Sequence, residues 1–361
     1  MVACSKSFRH GYHPAGFQKE GVVMRVVISG IGTGGHYFPA IVVAQEFMKC
    51  KVDVIFLARR GYSEEEVARK YGLRIFYVKS KPFFGKSIFM KLLSLLSIVY
   101  SAISLNNITK QVIGFACGGF GSLPLLISCF MNRSPFYLFE PNRIPGRATK
   151  LFARRARKVF LGLPLLGRRD DNMILTGIPI RTEFKECRRK RLPAEKKEKK
   201  ILFLGGSQGA MRLNRLALEI QDMLPRGYTL TIISGKRDFD WVDGNRRGRT
   251  RVLSFTLSPW EEMKNADVIV SRSGALAGYE ILSLDIPVIF IPFPYAVDDH
   301  QYYNAEYFAE TGNAVVMREE EITAEILLKK IMELSSIRKK KVTLDFNAEK
   351  KIVDFILKEN G

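Results

Sequence analysis

The chain has 361 residues, 47% of them hydrophobic and 26% charged, with a net charge of +21 at pH 7, the profile of a globular protein with room for two cores. Its five cysteines form no CxxC pair and no framework spacing, and its four histidines are too few and too spread for a zinc site, which sets aside a disulfide scaffold and a zinc fold. The charge is uneven: residues 1–180 hold 26 Lys+Arg against 9 Asp+Glu and residues 181–361 hold 31 against 27, so the first half is expected to face nucleic acid, an acidic membrane surface or a phosphorylated substrate.

Residues 1–22 are polar and lack the apolar segment of a secretory signal. Residues 1–23 are therefore expected to be an extension outside the fold, in a cytosolic protein. Met24–Ser29 is a short apolar run that enters Gly30-Ile-Gly-Thr-Gly-Gly-His-Tyr-Phe-Pro39, and a helix is expected over 40–49. Strand, glycine turn and helix bring backbone close to a phosphate. Gly30, Gly32 and Gly35 also satisfy the dinucleotide pattern GxGxxG. The next strand, Val52–Leu57, ends in Ala58-Arg59-Arg60, where arginines suit a 2′-phosphate better than a ribose. An NADP-dependent oxidoreductase thus stays open as a rival. His36 reads either as a base or orienting group facing a cleft or as a histidine that only caps the helix.

No Asp or Glu occurs from Val67 to Phe139, against nine Lys or Arg. Within this stretch Ile88–Leu105 reads as a helix, with Ser94, Ser97, Ser101 and Ser104 at helical spacing. It is expected to cover one face of a parallel sheet, and Lys91 with the serines argues against a membrane span. Just before it, Lys81, Phe83, Phe84 and Lys86 mix basic and aromatic side chains as a membrane-surface patch does. Gln111–Cys117 is a further strand, followed by a second glycine turn, Gly118-Gly-Phe-Gly-Ser-Leu-Pro124. Pro135–Glu140 is another, and it puts Glu140 and Asn142 where open α/β sheets bind ligands. A solvated turn is the other reading of that segment.

The charged stretch 183–199 is the expected linker between a first domain, 24–182, and a second, 200–345. The second begins as the first did, with a strand at 200–204, a turn Gly205-Gly-Ser-Gln-Gly209 and a helix over 210–224. The Asp238-Phe-Asp240 pair has no strand ending in it, and no other ligand cluster is visible. The chemistry is therefore expected to need neither metal nor cofactor. Strand Asp267–Ser271 feeds a small-residue turn that opens a helix, where backbone N–H groups and the helix dipole favour an anion. Glu280, one and a half turns in, suits a sugar diol. A strand at 287–294 and the polar loop Asp298-Asp-His-Gln-Tyr-Tyr-Asn304 follow. Phosphate site, diol acceptor and polar loop together point to a nucleotide-sugar pocket. The final helix, 347–358, is too polar to form a core alone and is expected to pack on an existing surface.

Four segments taken in order carry a specific resemblance: Gly32-Thr-Gly-Gly-His36 with Phe38 and Pro39, Gly118-Gly-Phe-Gly-Ser122 with Pro124, Gly205-Gly-Ser-Gln-Gly-Ala210 with Asn214, and Ser273-Gly-Ala-Leu276 with Glu280. Over about residues 24–345 the chain resembles the MurG family, bacterial transferases that add N-acetylglucosamine to the lipid-linked muramyl pentapeptide. The resemblance implies an α/β GT-B fold, two Rossmann-like domains facing across a deep cleft, with residues 346–361 crossing back to the first domain. It implies UDP-N-acetylglucosamine as donor, undecaprenyl-pyrophosphoryl-MurNAc-pentapeptide (lipid I) as acceptor, and lipid II as product, with inversion at the anomeric carbon. The place implied is the cytoplasmic face of the inner membrane, on an anionic surface and beside other cell-wall synthesis proteins, with no nucleic acid as partner. By position, Thr33, Gly34 and Gly35 match the family's cleft-facing loop and Asn142 a sugar-contacting asparagine. Arg181 matches a donor-binding arginine, Ser207 a serine of the third glycine loop, and Thr256 a main-chain contact to uracil. Ala275, Leu276, Ala277, Gly278, Tyr279 and Glu280 match the helix start at the diphosphate, with Glu280 on the ribose, and Gln301 matches a sugar-reading glutamine. His36 is the expected base, with Glu140 second. Ile31, Phe120 and Pro141 depart from the family pattern. Another GT-B transferase with a different acceptor is the nearest rival within the fold, and a nucleic-acid binder rests on charge alone.

Overall fold

Two runs of alternating strand and helix build two parallel sheets in a computed structural model that describes residues 24–79, 88–167, 169–190, 198–206, 209–336 and 340–361. The first run is β1 (Arg25–Ser29), α1 (Gly34–Lys49), β2 (Asp53–Ala58), α2 (Ser63–Lys70), β3 (Arg74–Tyr77), α3 (Ile88–Leu105), β4 (Ile113–Ala116), α4 (Leu123–Met131), β5 (Phe136–Glu140), α5 (Arg147–Phe152), β6 (Val159–Leu161) and β7 (Met173–Leu175). After α6 (Thr182–Lys190) the second run is β8 (Lys199–Leu204), α7 (Met211–Gln221), β9 (Tyr228–Ile233), α8 (Phe239–Gly244), β10 (Thr250–Leu253), α9 (Pro259–Met263), β11 (Val268–Ser271), α10 (Ala275–Leu282), β12 (Val288–Phe290), α11 (His300–Ala309), β13 (Ala314–Val316) and α12 (Ala324–Ser336). The last helix is α13 (Ala348–Asn360). The strand orders are β3-β2-β1-β4-β5-β6-β7 and β10-β9-β8-β11-β12-β13. Both sheets are covered on two faces, which is why Val26–Ile28 and Val268–Val270 are continuous buried apolar runs.

In each sheet the order reverses beside its first strand, between β1 and β4 and between β8 and β11. Loops at the carboxyl ends of strands flanking such a reversal diverge and leave a crevice. All four glycine segments of the sequence fall there. Ile31, which departs from the family pattern, is 2% exposed. It packs on the second glycine loop, where a Cβ on Gly121 would overlap the Ile31 side chain and carbonyl. The extra residue therefore joins the two loops.

Three expectations are corrected. Helix α1 starts at Gly34, earlier than expected, and carries Pro39 inside it; proline there has no N–H to give the Gly35 carbonyl. The stretch read as linker begins with α6, whose Phe184 is fully buried and meets Trp260 edge-on at 5.8 Å. With so few apolar residues, that helix shows no periodicity to read. Helix α3 does not simply cover the sheet: it buries Ser94, Ile98, Ser101, Ala102 and Leu105 and exposes Leu93, Leu95, Leu96, Val99, Tyr100 and Ile103. Its small buried side chains allow close packing, and the Ser101 hydroxyl donates to the Lys79 carbonyl at 2.9 Å.

The two halves share one apolar cluster, which runs from Val26 and Phe47 through Phe184 and Trp260 to Leu202, Ile269 and Ile356. Helix α13 lies on the first half: Phe355 meets Phe160 edge-on at 5.7 Å, and the Tyr137 hydroxyl donates to Glu359 and accepts from Asn360.

Candidate functional site

A cavity of about 560 Å³ opens on the carboxyl ends of the first sheet, walled by both of its glycine loops, by Arg59 and Tyr62, and by 144–148. A second, of about 380 Å³, reaches the β8 and β11 ends of the other sheet, with Thr256, Ala275–Ala277, Glu280 and Gln301 in its wall. Thr33, Gly34, His36, Tyr37, Asn142 and His300 line both cavities. They form the partition at which molecules held on the two sides would meet.

His36 lies on α1 with its imidazole wedged between the two glycine loops. A Cβ on Gly32 would come within 2.9 Å of Nδ1, and one on Gly119 within 3.2 Å of Nε2. Gly119 also has φ of +71°, where a side chain is strained in any case. These glycines make room for the ring. Nδ1 is 3.3 Å from the Thr33 hydroxyl. Burial lowers the pKa of His36 to about 4, and the neighbouring His300 adds to the shift. The ring is neutral at physiological pH and has a lone pair available.

Glu140 ends β5, 2% exposed. Its carboxylate accepts hydrogen bonds from the Asn142 amide N–H and Nδ2 (both 3.1 Å), the Gly146 N–H (2.9 Å) and the Thr149 hydroxyl (2.6 Å). Burial pushes its pKa up while these donors pull the other way. The geometry is that of a bracket holding the 141–149 turn. Asn142 in turn accepts from Asn304 Nδ2 at 3.0 Å, and Asn304 Oδ1 accepts from the Arg143 N–H at 3.1 Å. Fully buried Asn304 belongs to α11, so this network crosses the cleft.

On the far side, α10 opens at Gly274 with the backbone N–H groups of Ala275 to Ala277 at its unpaired end. Glu280 and Arg181, each 5% exposed at the side chain, form a two-pronged pair across the cleft: Nε to Oε1 at 2.9 Å and Nη2 to Oε2 at 3.0 Å. The guanidinium lies 4.1 Å over the Phe38 ring and near Phe184 and Trp260. Burial raises the pKa of Glu280 against the opposing pull of Arg181.

The structure thus brings together Thr33, Gly34, Gly35, His36, Asn142, Arg181, Thr256, Ala275, Leu276, Ala277, Glu280 and Gln301, with Glu140 in the wall of the first cavity. It does not bring Gly278 or Tyr279. Gly278 faces the Phe308 ring, and the Tyr279 hydroxyl donates to the Asp345 carbonyl at 2.6 Å; both lie on the packed side of α10. Ser207, Lys81, Phe83, Phe84 and Lys86 lie outside the described residues. Arg59 and Arg60, which kept the oxidoreductase rival open, are committed elsewhere: Arg59 to buried Glu64 at 2.7 Å, Arg60 over the Tyr77 ring. Asp238 of the DxD pair is buried and accepts from Asn214. Among the described residues no three His, Cys, Asp or Glu side chains are grouped to hold a metal ion. His300 and Asn304 were visible in the sequence only as members of a polar loop.

Residues 26–161 match the model of the glycosyltransferase family 28 N-terminal domain, and residues 200–356 that of the family 28 C-terminal domain. The chain belongs to glycosyltransferase family 28. A curated relative from Aquifex aeolicus, named UDP-N-acetylglucosamine–N-acetylmuramyl-(pentapeptide) pyrophosphoryl-undecaprenol N-acetylglucosamine transferase, is 30% identical over 319 residues, covering 86% of this chain and 91% of the relative. One of the same name from Thermodesulfovibrio yellowstonii is 33% identical over 327 residues, covering 85% and 89%. The crystal structure of Acinetobacter baumannii MurG superposes with a TM-score of 0.70 at 23% identity, over 93% of this chain and 99% of that one. This family 28 member is a glycosyltransferase with the GT-B fold, on the MurG branch, and nothing in these comparisons supports the oxidoreductase rival.

Proposed function

We propose that this transferase moves N-acetylglucosamine from UDP-N-acetylglucosamine to the muramyl 4-hydroxyl of lipid I, giving lipid II with inversion. The observation that carries the reading is the partition shared by the two cavities: a donor on the α10 side and an acceptor on the first-sheet side meet at His36. The hydroxyl oxygen attacks the anomeric carbon as its bond to the UDP oxygen breaks, and the electron pair leaves with UDP. Charge growing on the diphosphate is met by the α10 N–H groups and by Arg181. Arg181 and Glu280 bond each other in the structure, so the donor's phosphates and ribose compete for the same atoms. Glu280 as ribose acceptor, Gln301 and Asn142 as sugar contacts and Thr256 at the uracil complete the donor side. His36 takes the hydroxyl's proton. Glu140, its acceptor sites filled, positions Asn142 instead.

The same reading puts the protein on the cytoplasmic face of the inner membrane, beside other cell-wall synthesis proteins. No helix among the described residues is long and apolar enough to cross a membrane. The exposed apolar residues of α3, and Phe130 and Met131 at the end of α4 with Arg155 over the Phe130 ring, support a surface that dips into lipid beside positive charge. Radiolabelled sugar transfer from UDP-N-acetylglucosamine to a lipid I analogue tests the activity, with lipid II as the expected product. UDP should raise the melting temperature and NADPH or an oligonucleotide should not; the opposite pattern overturns the reading.

A further inference from the structure

The proposed reaction leaves a proton at the partition, where His36 first takes it. His36 is wedged between Gly32 and Gly119. Its surroundings resist a positive charge, to the extent that its pKa falls to about 4. A base that cannot keep its proton must pass it on before the next turnover. A second imidazole stands on the opposite side of the same partition: His300, the first residue of α11, lines both cavities, as His36 does.

The hydrogen bonding of His300 settles its tautomer. Nδ1 is 2.9 Å from the Val297 carbonyl oxygen. A carbonyl can only accept, so Nδ1 carries the hydrogen, and in the neutral ring that leaves Nε2 as the acceptor. The backbone is distorted to hold it there. Asp298 and Asp299 both take left-handed conformations, with φ of 54° and 51°, a costly arrangement for consecutive non-glycine residues. Lys150 from the first half grips Asp298 at 3.0 Å. His300 and Asp298 line the first cavity together with Arg147 and His36 from the other wall. Like His36, His300 is half-buried, and it sits beside exposed Val297 and Asp298.

We propose that His300 is the proton-relay residue of the transfer, receiving at Nε2 the proton that His36 takes from the acceptor hydroxyl and releasing it to solvent. The inference rests on the transferase reading and deepens it. The acceptor O–H bond breaks as the new C–O bond forms, and the sugar–phosphate C–O bond breaks with its electron pair going to UDP. The proton moves from His36 to His300, directly or through one water, and then leaves. Nothing is oxidised or reduced.

His300→Asn separates relay from scaffold, because the asparagine amide can still donate to the Val297 carbonyl while no group occupies the Nε2 position. UDP should stabilise this variant as it does the wild type, and the KM for UDP-N-acetylglucosamine should stay unchanged. Its kcat should fall about tenfold or more, and added imidazole should restore part of the loss. A purely structural role predicts no rescue. An unchanged kcat, or a kcat loss that imidazole does not relieve while KM rises in step, overturns the relay. A wild-type enzyme that makes no lipid II from UDP-N-acetylglucosamine and lipid I overturns the transferase reading and this inference with it, whatever the variant does.

Discussion

The carboxylates and imidazoles of the cleft differ in what their surroundings let them do. His36 is held neutral, so its folded pKa of about 4 lies below the ordinary 6.5. A group depressed in this way contributes stability that is fully present above the unfolded value and lost as pH falls toward the folded one. His36→Asn should therefore flatten the fall in melting temperature between about pH 6.5 and pH 4, and it should cut turnover more than donor affinity. An unchanged slope would show that the ring is not so enclosed, and near-normal turnover would remove it as base. Glu280→Ala strands a buried guanidinium, which should cost about 3 kcal/mol in chemical denaturation and weaken UDP-N-acetylglucosamine binding. Denaturation midpoints read the first effect, and calorimetry with UDP-N-acetylglucosamine the second. His36 was legible in the sequence because a glycine turn at a helix start is a local pattern. His300 was not, since its place between the two cavities depends on how α11 packs against the first half. Tyr279 belongs to the run Ala275–Glu280 that matches the family's helix start, but on the helix it points to the packed side, where its hydroxyl donates to the Asp345 carbonyl.

At the scale of elements, α3 buries Ser94 and Ser101 beside Ile98 and Leu105 while it exposes Leu93, Leu95 and Leu96. Leu96 is 56% and Ile103 59% exposed, so changing them removes little from the core. Leu96→Glu combined with Ile103→Glu should leave the unfolding free energy within about 1 kcal/mol of the wild type, as surface changes do. It should abolish sedimentation with vesicles containing anionic phospholipid, because charged side chains do not partition into the acyl boundary. Retained sedimentation would move the membrane face elsewhere. Periodicity read α3 correctly as a helix but could not orient it: when most of the circumference is apolar, the buried side is chosen by the close approach of α4, which favours small residues. The parallel strands were easier, since burial on both faces writes an unbroken apolar run. Short strands such as β3, β6 and β7 were missed because three or four residues carry too little pattern.

Across the whole molecule, the two-domain plan was visible in the second strand–glycine–helix start at Lys199–Gly209, whereas the way the halves are fastened was not. Arg181 with Glu280, Asn142 with Asn304, Lys150 with Asp298 and the return of α13 are all contacts between residues far apart in the chain. No local spacing announces them. They make the cleft a joint whose polar contacts lie beside the two cavities and whose apolar contacts form the shared cluster. Ile352, Val353 and Ile356 of α13 are fully buried in the cluster that also holds residues of both sheets. A cavity at Ile356 is therefore felt on both sides of the joint, and Ile356→Ala should cost about 2–5 kcal/mol. If the shared cluster couples the halves, the variant should still melt in a single transition, with hydrogen-exchange protection falling together in β1 and β8. Loss confined to β1 would mean that α13 is only a cover for the first half. In that case the fastening of the cleft would fall to its polar pairs, for which the proposed donor competes.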